Sequence, residues 1–577
     1  MFRLSASVFI FAILTFYSPL EASSGVKGDR ADYIIVGVGT AGGLMAKQLT
    51  DDKKTSVIAL HSGSNFTGSF ILKYGKNTLF SVAATLLGSP PPFNPDDLPL
   101  PPDVRQQLQD LIDLTATTAK PLYETGKTIP QPNANDDELL WVIPLPEGGG
   151  SAVNAGAWCR GTKQLYAQWE AITESGEWSV SRIMNIYKEL ENYTGKTPNK
   201  NSRGHDGPLQ VIQNQSSTLS KVFTQAEINA TGAPFVVDYN NPNTPIGISP
   251  HLQLTRDGDQ GYYRISSVSS FLNEDVVNSN GKGVQGRKLQ VYLGSRALRV
   301  IWNGNTAIGV EYFQNGATKK VYANKGVIVC AGLRSSPFLL SSGVGPAALL
   351  NSLGIPVIKD NPNVGSGLAD QPHVITLFSS NPNDSNSEGN SPFSQIAWLE
   401  DPAHILPGRQ LRLTTVDVIP GITPALFDLC QPLSRGSVSI NSANPMDPPV
   451  IDFGILSNPS DLDLFVRGFQ IYIKNINGAL QAIDPAYQLL FPDPSILDDT
   501  PALQEFIRSS IESNMHFQSH CRMAPEIDGG VVDSHGRVYG TNHLIVADNS
   551  INPLCMDGSP MATGYMVAAN IARLLGY

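Results

Sequence analysis

The chain has 577 residues, of which 41% are hydrophobic and 16% charged, and its formal net charge is −11. A chain of this length is too long to fold around one hydrophobic core, so two or more domains are expected. The negative net charge argues against nucleic acid and anionic membranes as main partners. The five cysteines are widely spaced without a CxxC pair, which excludes a dense disulfide framework and a structural zinc site. Most thiols are expected to be free and buried, with at most one or two disulfides and Cys521–Cys555 as the candidate pair.

The N-terminal segment 1–24 is typical of a secretory signal peptide. Arg3 supplies a short positive region, residues 4–17 are apolar, and small residues at 22–24 offer a cleavage site. The apolar run is too short for a permanent membrane span. We therefore predict an exported protein, secreted or periplasmic, with no stable membrane insertion after cleavage.

A nucleotide-binding turn opens the first globular segment. The apolar strand 32–36 leads directly into Gly37-Val-Gly39-Thr-Ala-Gly42, and a helix is predicted over 44–49. In such a G-x-G-x-x-G motif the first glycine makes the tight turn, the second lets the backbone approach a pyrophosphate, and the third lets the helix pack on the strand. The helix N-terminus then faces the phosphates. Because strand and helix both flank the motif, a dinucleotide cofactor is expected here.

The next predicted elements surround this turn. A second strand, 56–60, ends at His61, where an acidic residue would bind the ribose hydroxyls. A neutral imidazole offers one donor and one acceptor, whereas a carboxylate accepts two bonds, so weaker cofactor retention is expected. Residues 64–140 are rich in Pro, Asn and Asp and are expected to form a lid-like insertion of loops around one or two helices. A second glycine-rich turn at 147–154 lets backbone amides approach the cofactor.

The remaining predicted elements are helices at 163–170 and about 180–193, a β-meander between 288 and 330, a strand at 542–548 and a helix over about 564–575. The alternation of the meander indicates a return of the chain to the nucleotide-binding domain.

The ordered motifs of the chain resemble those of the glucose–methanol–choline (GMC) oxidoreductases, which are flavoproteins that bind FAD. The resemblance spans nearly the whole mature chain. In family order it consists of the turn at 33–43, Gly148-Gly-Gly-Ser-Ala-Val-Asn154, Trp158-Cys-Arg-Gly161, Tyr166-Ala-Gln-Trp169, the second signature at 331–346, Gly354-Ile-Pro356, Val364-Gly365, Leu368-Ala-Asp370, Ser434-Arg-Gly-Ser-Val438 and Val546-Ala-Asp548-Asn-Ser550. The second signature is one residue short before Ser342-Gly343.

The resemblance implies a mixed α/β fold with two interleaved domains. A Rossmann-like FAD-binding domain and a substrate domain built on an antiparallel sheet would enclose the flavin at their interface. The implied segments of the FAD-binding domain are 30–210, 286–370 and the active-site-bearing 516–577, and those of the substrate domain are 211–285 and 371–515.

The resemblance also implies alcohol oxidation, by proton removal from a hydroxyl and hydride transfer to flavin N5. In the segment from Asn514 to Met523, His516 matches the catalytic base of the family, and the pKa of imidazole suits that role. The second His or Asn of the family is replaced by Ser559, before Pro560. A serine can donate a hydrogen bond to the substrate oxygen, but it is no acid–base group without an activating neighbour. Ser519-His520 replaces the family's Gly-Thr, and we expect the His520 ring to pack beside the pocket.

Cofactor residues carry over from the same motifs. Val153 stands where some members bond FAD through a histidine, so non-covalent FAD is expected. Asp548 matches an aspartate near the flavin end, and Asn154 matches a flavin-side asparagine. The expected cofactor-binding set is Gly37, Gly39, Gly42, His61, Gly149, Ser151, Asn154, Ala297, Asp548 and Pro560, and no metal is expected.

Three functions remain open at this point. The leading one is an exported FAD-dependent oxidase or dehydrogenase of a small-molecule alcohol. The second is a hydroxynitrile lyase, in which FAD is structural and histidine acid–base chemistry proceeds without net redox. The third is a catalytically degenerate binding protein, which the departures at His61, Ser559 and Ser519-His520 favour and the persistence of both glycine turns and His516 opposes. The sequence indicates neither the alcohol, nor the electron acceptor, nor the oligomeric state.

Overall fold

The computed structural model describes residues 29–63, 122–257, 263–384, 393–401, 408–417 and 420–577, together with 102, 105, 106 and 109. The predicted signal peptide and most of the predicted insertion 64–140 lie outside the described residues. The described end of that insertion contains an antiparallel hairpin, Tyr123–Lys127 with Leu140–Pro144. The fold is mixed α/β, as predicted, and its two largest sheets have seven strands each.

The first large sheet carries the nucleotide-binding turn. Its strand order is Arg296–Asn303, Thr306–Gln314, Ala317–Val329, Arg30–Val36, Ser56–Leu60 and Lys288–Tyr292, with Leu544–Val546 also paired to Ala317–Val329. The central pairs are parallel, whereas the three strands between 296 and 329 form an antiparallel meander. The meander predicted between 288 and 330 is thus correct only from residue 296 onward, because Lys288–Tyr292 pairs in parallel with Ser56–Leu60 at the opposite edge. The last meander strand continues to Val329, because its apolar end is buried between Arg30–Val36 and Leu544–Val546.

Helices pack against this sheet in one continuous core. The helix after the glycine turn, Thr40–Thr50, contacts the almost fully buried C-terminal helix Met561–Leu574. The helix predicted over 180–193 ends at Leu190, since the chain turns extended there and Glu191–Tyr193 pairs with Leu209–Gln213. Further helices near this sheet are Gly150–Val153, Lys163–Thr173, Ser267–Phe271, Ser335–Ser341 and Ala347–Ser352.

The second large sheet is antiparallel. Its order is Leu489–Phe491, Pro372–Ser379, Ile422–Leu429, Leu411–Val416, Phe393–Leu399 and Gly247–Ser249, with Ile511–Ser513 also paired to Pro372–Ser379. Alternate side chains such as Leu413 and Phe427 face a layer of helices, and the others, such as Trp398 and Leu426, face away from it. The helices of that layer are Thr218–Thr231, Pro459–Gly468, Lys474–Ile483 and Thr500–Ser510.

Three small sheets complete the β structure among the described residues: Val344–Gly345 with Lys359–Asp360; Ser366–Leu368, Gly436–Ser439 and Val450–Asp452; and Glu191–Tyr193, Leu209–Gln213 and Gln253–Thr255. The predicted domain boundaries stay a prediction. Within the described part of the chain, no helix has the length and apolar character needed to cross a bilayer.

All five cysteines are buried and free, so the candidate disulfide Cys521–Cys555 is wrong. Cys521 lies in the core of the first large sheet, where its N–H donates to the carbonyl oxygen of Ser550. The Cys555 thiol instead lies 3.3 Å from Gln518 Nε2 and 3.7 Å from the carbonyl oxygen of Cys430. The two sulfur atoms therefore have separate surroundings.

Candidate active site

Two glycine turns meet at the N-terminus of the helix Thr40–Thr50. A Cβ atom on Gly37, whose φ is 97°, would lie 2.4 Å from the carbonyl oxygen of Cys330, and a Cβ on Gly149 would lie 2.9 Å from Gly39 Cα. The helix has no acidic residue in its first turn and no side-chain cap. Its first backbone N–H groups therefore face the space that the absent side chains leave, as an anion site requires.

A cavity of about 410 Å³ extends from these turns to the second large sheet. Ten of the predicted site residues line it: Gly37, Gly39, His61, Gly149, Asn154, Ala297, His516, Asp548, Ser559 and Pro560. Gly42 and Ser151 do not line it. A Cβ on Gly42 would lie 1.9 Å from Gly37 O, so this glycine lets the helix pack on the turn. Ser151 Oγ donates to Gly148 O at 2.7 Å and accepts from Ser267 N, which holds the second turn.

His61 is buried, and both of its ring nitrogens have backbone partners. Nδ1 accepts from Val38 N–H at 3.3 Å, and Nε2 lies 3.0 Å from the carbonyl oxygen of Leu145. Because Nδ1 is the acceptor, Nε2 carries the proton. Burial lowers the pKa of His61, so the ring is neutral near pH 7. The imidazole thus links the first glycine turn to the chain that enters the second.

The orientation of His516 is fixed by Gln371. The Nε2 amide group of Gln371 donates to the carbonyl oxygens of Cys430 at 2.8 Å, Met556 at 2.7 Å and Gly558 at 3.3 Å. Its Oε1 atom therefore faces His516 Nδ1, at 2.6 Å. Nδ1 must donate, so Nε2 carries the lone pair, and it has no hydrogen-bond partner among the described residues. His516 lines the cavity, and this lone pair is a proton acceptor there.

The backbone that carries His516 is also held in place. His516 N–H donates to Asp370 Oδ1 at 2.8 Å, and Ser513 Oγ donates to the other oxygen of that carboxylate. Met515, which stands between Ser513 and His516 in the chain, has a φ of 59°. A non-glycine residue keeps this conformation only where its surroundings impose it. Burial, and next the charge of Arg412, lower the pKa of His516 to about 3. The histidine is therefore neutral, as a base must be.

Ser559 has an arginine as its partner. Arg412 Nη1 donates to Ser559 Oγ at 2.8 Å, and Arg412 Nε donates to Asp428 Oδ2 at 2.8 Å. The other oxygen of Asp428 accepts from Asn514 Nδ2. The sequence motifs did not predict a role for Gln371, Arg412 or Asp428, although Gln371 directly follows the motif Leu368-Ala-Asp370.

His520 lies outside the cavity lining. Its Nδ1 atom is 2.8 Å from Ser336 Oγ, and its buried Nε2 has no hydrogen-bond partner in the described part of the chain. Burial lowers its pKa to about 3. The ring thus packs in the protein interior as a neutral group.

Asp548 joins two segments at the cavity wall. One carboxylate oxygen accepts from Gly332 N–H at 2.9 Å and from Ser335 Oγ at 2.7 Å, and the other accepts from Ser550 N–H at 2.9 Å. The aspartate therefore caps the short helix Asn549–Ile551 and anchors the start of Gly332–Arg334.

The family model described as GMC oxidoreductase matches residues 31–373 with its N-terminal part and 432–568 with its C-terminal part. The chain belongs to the GMC oxidoreductase family. It is 28% identical to the alcohol dehydrogenase [acceptor] of Pseudomonas putida, over 94% of this chain and 95% of that protein. It is 26% identical to the 5-(hydroxymethyl)furfural oxidase of Methylovorus sp., over 94% and 98% of the two chains.

A solved structure gives the same fold. Pyridoxine 4-oxidase from Mesorbium loti superposes with a TM-score of 0.76 at 22% identity, over 95% of this chain and 99% of that one. As a GMC oxidoreductase, the chain is an oxidoreductase with FAD as its cofactor.

The described residues fit FAD. The glycine turns and the bare N-terminus of Thr40–Thr50 suit its pyrophosphate, because a Cβ on Gly37 or Gly149 would fill the approach. The two glycine turns and His516 line one and the same cavity. Asn154 and Asp548 would hold the cofactor farther along this cavity. FAD would supply the redox chemistry, and His516 an acceptor for a proton.

Proposed function

We propose that this GMC oxidoreductase oxidises the CH–OH group of a small alcohol, with His516 as the base. The observation that carries the proposal is the amide of Gln371, which sets the tautomer of His516 and leaves the Nε2 lone pair free on a residue that lines the cavity. The names of two relatives, an alcohol dehydrogenase and a hydroxymethylfurfural oxidase, support the reaction class.

The reaction begins with a proton transfer. The hydroxyl proton of the bound alcohol moves to His516 Nε2, and the bond from Nδ1–H to Gln371 Oε1 stabilises the imidazolium that forms. FAD would supply the redox chemistry, as acceptor of the hydride from the carbon that bears the hydroxyl, so that the alcohol becomes a carbonyl compound.

The walls near His516 favour an alcohol with an apolar body. Phe393, Ile396, Trp398 and Leu426 line the cavity from one face of the second large sheet. Burying an apolar group against them is favourable at roughly 25 cal/mol per Å².

FAD is proposed to be bound without a covalent link, and the chain to be exported. Val153 lines the cavity at the position from which some family members form a covalent bond, and its side chain has no nucleophilic atom. The apolar segment after Arg3 supports export. Release of yellow flavin on acid precipitation, and loss of residues 1–24 from the mature protein, are the expected results.

The test is the flavin absorbance of the purified protein before and after anaerobic addition of a panel of alcohols. At least one alcohol is expected to bleach the flavin bands. His516→Gln is expected to keep the bands and to slow bleaching by about 10²–10⁴-fold, the usual contribution of a general base. His205→Gln changes an exposed histidine outside the cavity lining and serves as the matched control.

Two outcomes contradict the proposal. A flavin that no alcohol bleaches, in a protein that cleaves cyanohydrins, identifies a lyase. A protein that shows no flavin bands after incubation with FAD is a degenerate binding protein.

A further inference from the structure

The second catalytic position of this active site lacks the side chain that the family usually has there. Ser559 stands where the family has a histidine or asparagine, and a serine hydroxyl carries no charge near neutral pH. When His516 removes a proton from an alcohol, negative charge develops on the substrate oxygen. A group that stabilises this charge is usually a large contributor to catalysis.

Arg412 belongs to a row of side chains that crosses the second large sheet. Glu512, His373, Asp428, Arg412 and Trp398 stand directly opposite one another on five neighbouring strands. Side chains at such opposed positions share one face of a sheet, so the row lies on the cavity side with Trp398 and Arg412 in the lining. Arg412 is held between the Asp428 carboxylate and the Trp398 ring, whose centroid is 5.6 Å from its guanidinium carbon.

One nitrogen of the guanidinium is unpartnered, on a residue that lines the cavity. Nε is bound to Asp428 and Nη1 to Ser559, whereas Nη2 has no hydrogen-bond partner among the residues that the structure describes. The side chain is 9% exposed, and Arg412 is part of the cavity wall. Burial alone would lower the pKa of Arg412, but Asp428 raises it above its ordinary value, so the cation persists.

The same carboxylate connects the cation to the base. Asp428 accepts from Asn514, which stands two residues before His516 in the chain. The positive charge of Arg412 is close enough to lower the pKa of His516. Base and cation therefore line the same cavity near one another, each held by hydrogen bonds to its neighbours.

We propose that Arg412 is the second catalytic group of this enzyme, and that it donates from Nη2 to the substrate oxygen while Ser559 holds Nη1. As the O–H bond breaks, its proton goes to His516 Nε2 and its electron pair stays on oxygen beside the guanidinium. That electron pair then forms the carbonyl double bond, and FAD would supply the acceptor for the hydride that carbon loses. This inference rests on the proposed alcohol oxidation.

The pairing with Asp428 indicates a neutral substrate. The Asp428 side chain is fully buried, and although burial alone would raise its pKa, the charge of Arg412 lowers it. The ion pair therefore carries no net charge before the reaction. It suits an oxygen that gains charge during the reaction better than a carboxylate that brings charge with it.

The experiment measures the rate of anaerobic flavin reduction, with the alcohol that bleaches the wild-type protein. Arg412→Gln removes the cation but leaves Asp428 buried without a counter-charge, which can prevent folding. Arg412→Gln/Asp428→Asn removes both charges and keeps the test valid. Retained flavin absorbance shows that either variant is folded.

Both variants are expected to lower the limiting rate of reduction by about 10²–10³-fold, the loss typical of one oxyanion-stabilising donor. The alcohol concentration for half-maximal rate is expected to change less than about threefold, because the interaction strengthens only in the transition state. Arg467→Gln is the matched control, since Arg467 Nε donates to Asp401 Oδ2 at 2.7 Å outside the cavity lining. It is expected to retain the wild-type rate.

The pH dependence separates catalysis from structural support. The charged and titratable groups around Arg412 and His516 are Asp428, His373, Cys159 and Cys430. Asp370, which accepts from His516 N–H, and Glu512, which stands opposite His373, complete this set. The loss of rate is expected to be the same at pH 6, 7 and 8, because the Arg412 cation is present throughout that range. A loss confined to one end of it would assign the effect to a neighbouring titration and overturn the proposal.

Three further results would overturn it. Wild-type rates of reduction in both variants remove Arg412 from catalysis and leave the proposed function intact. A rise in the half-maximal concentration that is confined to carboxylate-bearing alcohols, with unchanged limiting rates, makes Arg412 a substrate anchor. A wild-type flavin that no alcohol reduces removes the alcohol oxidation itself, and this inference with it.

Discussion

A single amide decides how His516 can act. The amide of Gln371 is held by three carbonyl oxygens, and only its own oxygen remains for the histidine. The chemistry of the base thus depends on a residue that has none of its own. Replacing His516 tests the base, whereas replacing Gln371 tests its orientation.

The acid limb of the activity profile is expected below pH 5. The pKa of His516 is about 3, lowered by burial and next by the charge of Arg412. The base is active when neutral, so activity is lost only as pH falls through the folded pKa. If the pKa of His516 had its ordinary value near 6.5, the enzyme would lose most of its activity by pH 5. We expect kcat/KM for the bleaching alcohol to be flat from pH 8 to pH 5.

Gln371→Glu provides the companion measurement. A carboxylate near Nδ1 favours the imidazolium, so the acid limb is expected to move toward neutral pH. A fall of wild-type activity with a midpoint near pH 6.5, or an unchanged limb in the variant, would contradict this account.

His61→Glu separates cofactor retention from stability. A glutamate supplies the acceptor pair that binds ribose hydroxyls, so the Kd for FAD is expected to fall. It cannot donate to Leu145 O as the His61 ring does, and an unpaired buried carbonyl costs about 1–3 kcal/mol. The apoprotein is therefore expected to unfold at a lower urea concentration. Titration with FAD and urea unfolding measure the two effects, with His61→Gln as the uncharged control. An unchanged or weaker FAD affinity would contradict the interpretation of His61 as a lost ribose contact.

The sequence predicted functional residues where each of them stands within a motif of the family. His516, Asn154 and Asp548 stand in motifs of the family, and the structure places all three on one cavity. Arg412 was not predictable in this way. It lies in a strand whose six residues are all buried, and its role arises from neighbours on other strands.

At the scale of elements, the contact between the two glycine turns has the clearest consequence. Gly149 has a φ of 53°, and a Cβ on it would lie 2.9 Å from Gly39 Cα, whereas a Cβ on Gly150 would have Thr40 Oγ1 at 3.9 Å as its nearest neighbour. Gly149→Ala is therefore expected to push the turns apart. We expect this to cost at least about 1.4 kcal/mol of binding free energy, which corresponds to a tenfold weaker affinity for FAD.

Gly150→Ala is the matched control for this element. It adds the same methyl group one residue later in the same cavity lining, inside the helix Gly150–Val153 and without a positive φ or a close backbone neighbour. FAD titration of both apoproteins measures the difference. Equal affinities would show that the close approach of the turns is dispensable.

The lengths of elements were less predictable than their existence. The helix Met561–Leu574 begins before the predicted residue 564, and the strand predicted at 542–548 is only Leu544–Val546. Strands such as Leu411–Val416 were not predicted, because burial on both faces removes the alternation of apolar and polar residues. The ends of elements depend on neighbours that are distant in sequence.

At the scale of the whole molecule, acid is expected to act on stability through histidines that are buried in neutral form. The pKa of His520 is lowered to about 3 by burial, and its Nε2 has no partner in the described structure. The unfolded chain binds this proton below pH 6.5. The stability contribution is therefore complete above pH 6.5 and is lost as pH falls toward 3, at up to roughly 1.4 kcal/mol per pH unit.

The variant His520→Asn isolates this contribution. Buried carboxyls with raised pKa values, among them Glu227 and Glu512, act with the opposite sign, so the slope of the wild type is a sum. Urea unfolding at pH 7, 6 and 5 is expected to show that the variant loses less stability than the wild type on acidification. Parallel curves would contradict a neutral buried His520.

The order of strands in the first large sheet has a consequence for synthesis on the ribosome. Arg30–Val36 pairs early with Ser56–Leu60, but its other neighbour, Ala317–Val329, emerges much later, and Leu544–Val546 follows only near the end of translation. At about 5–20 residues per second, the edge of the first strand stays open for some tens of seconds. The nascent chain is thus expected to present an unpaired apolar edge until Ala317–Val329 is synthesised, and to need protection from aggregation during that time.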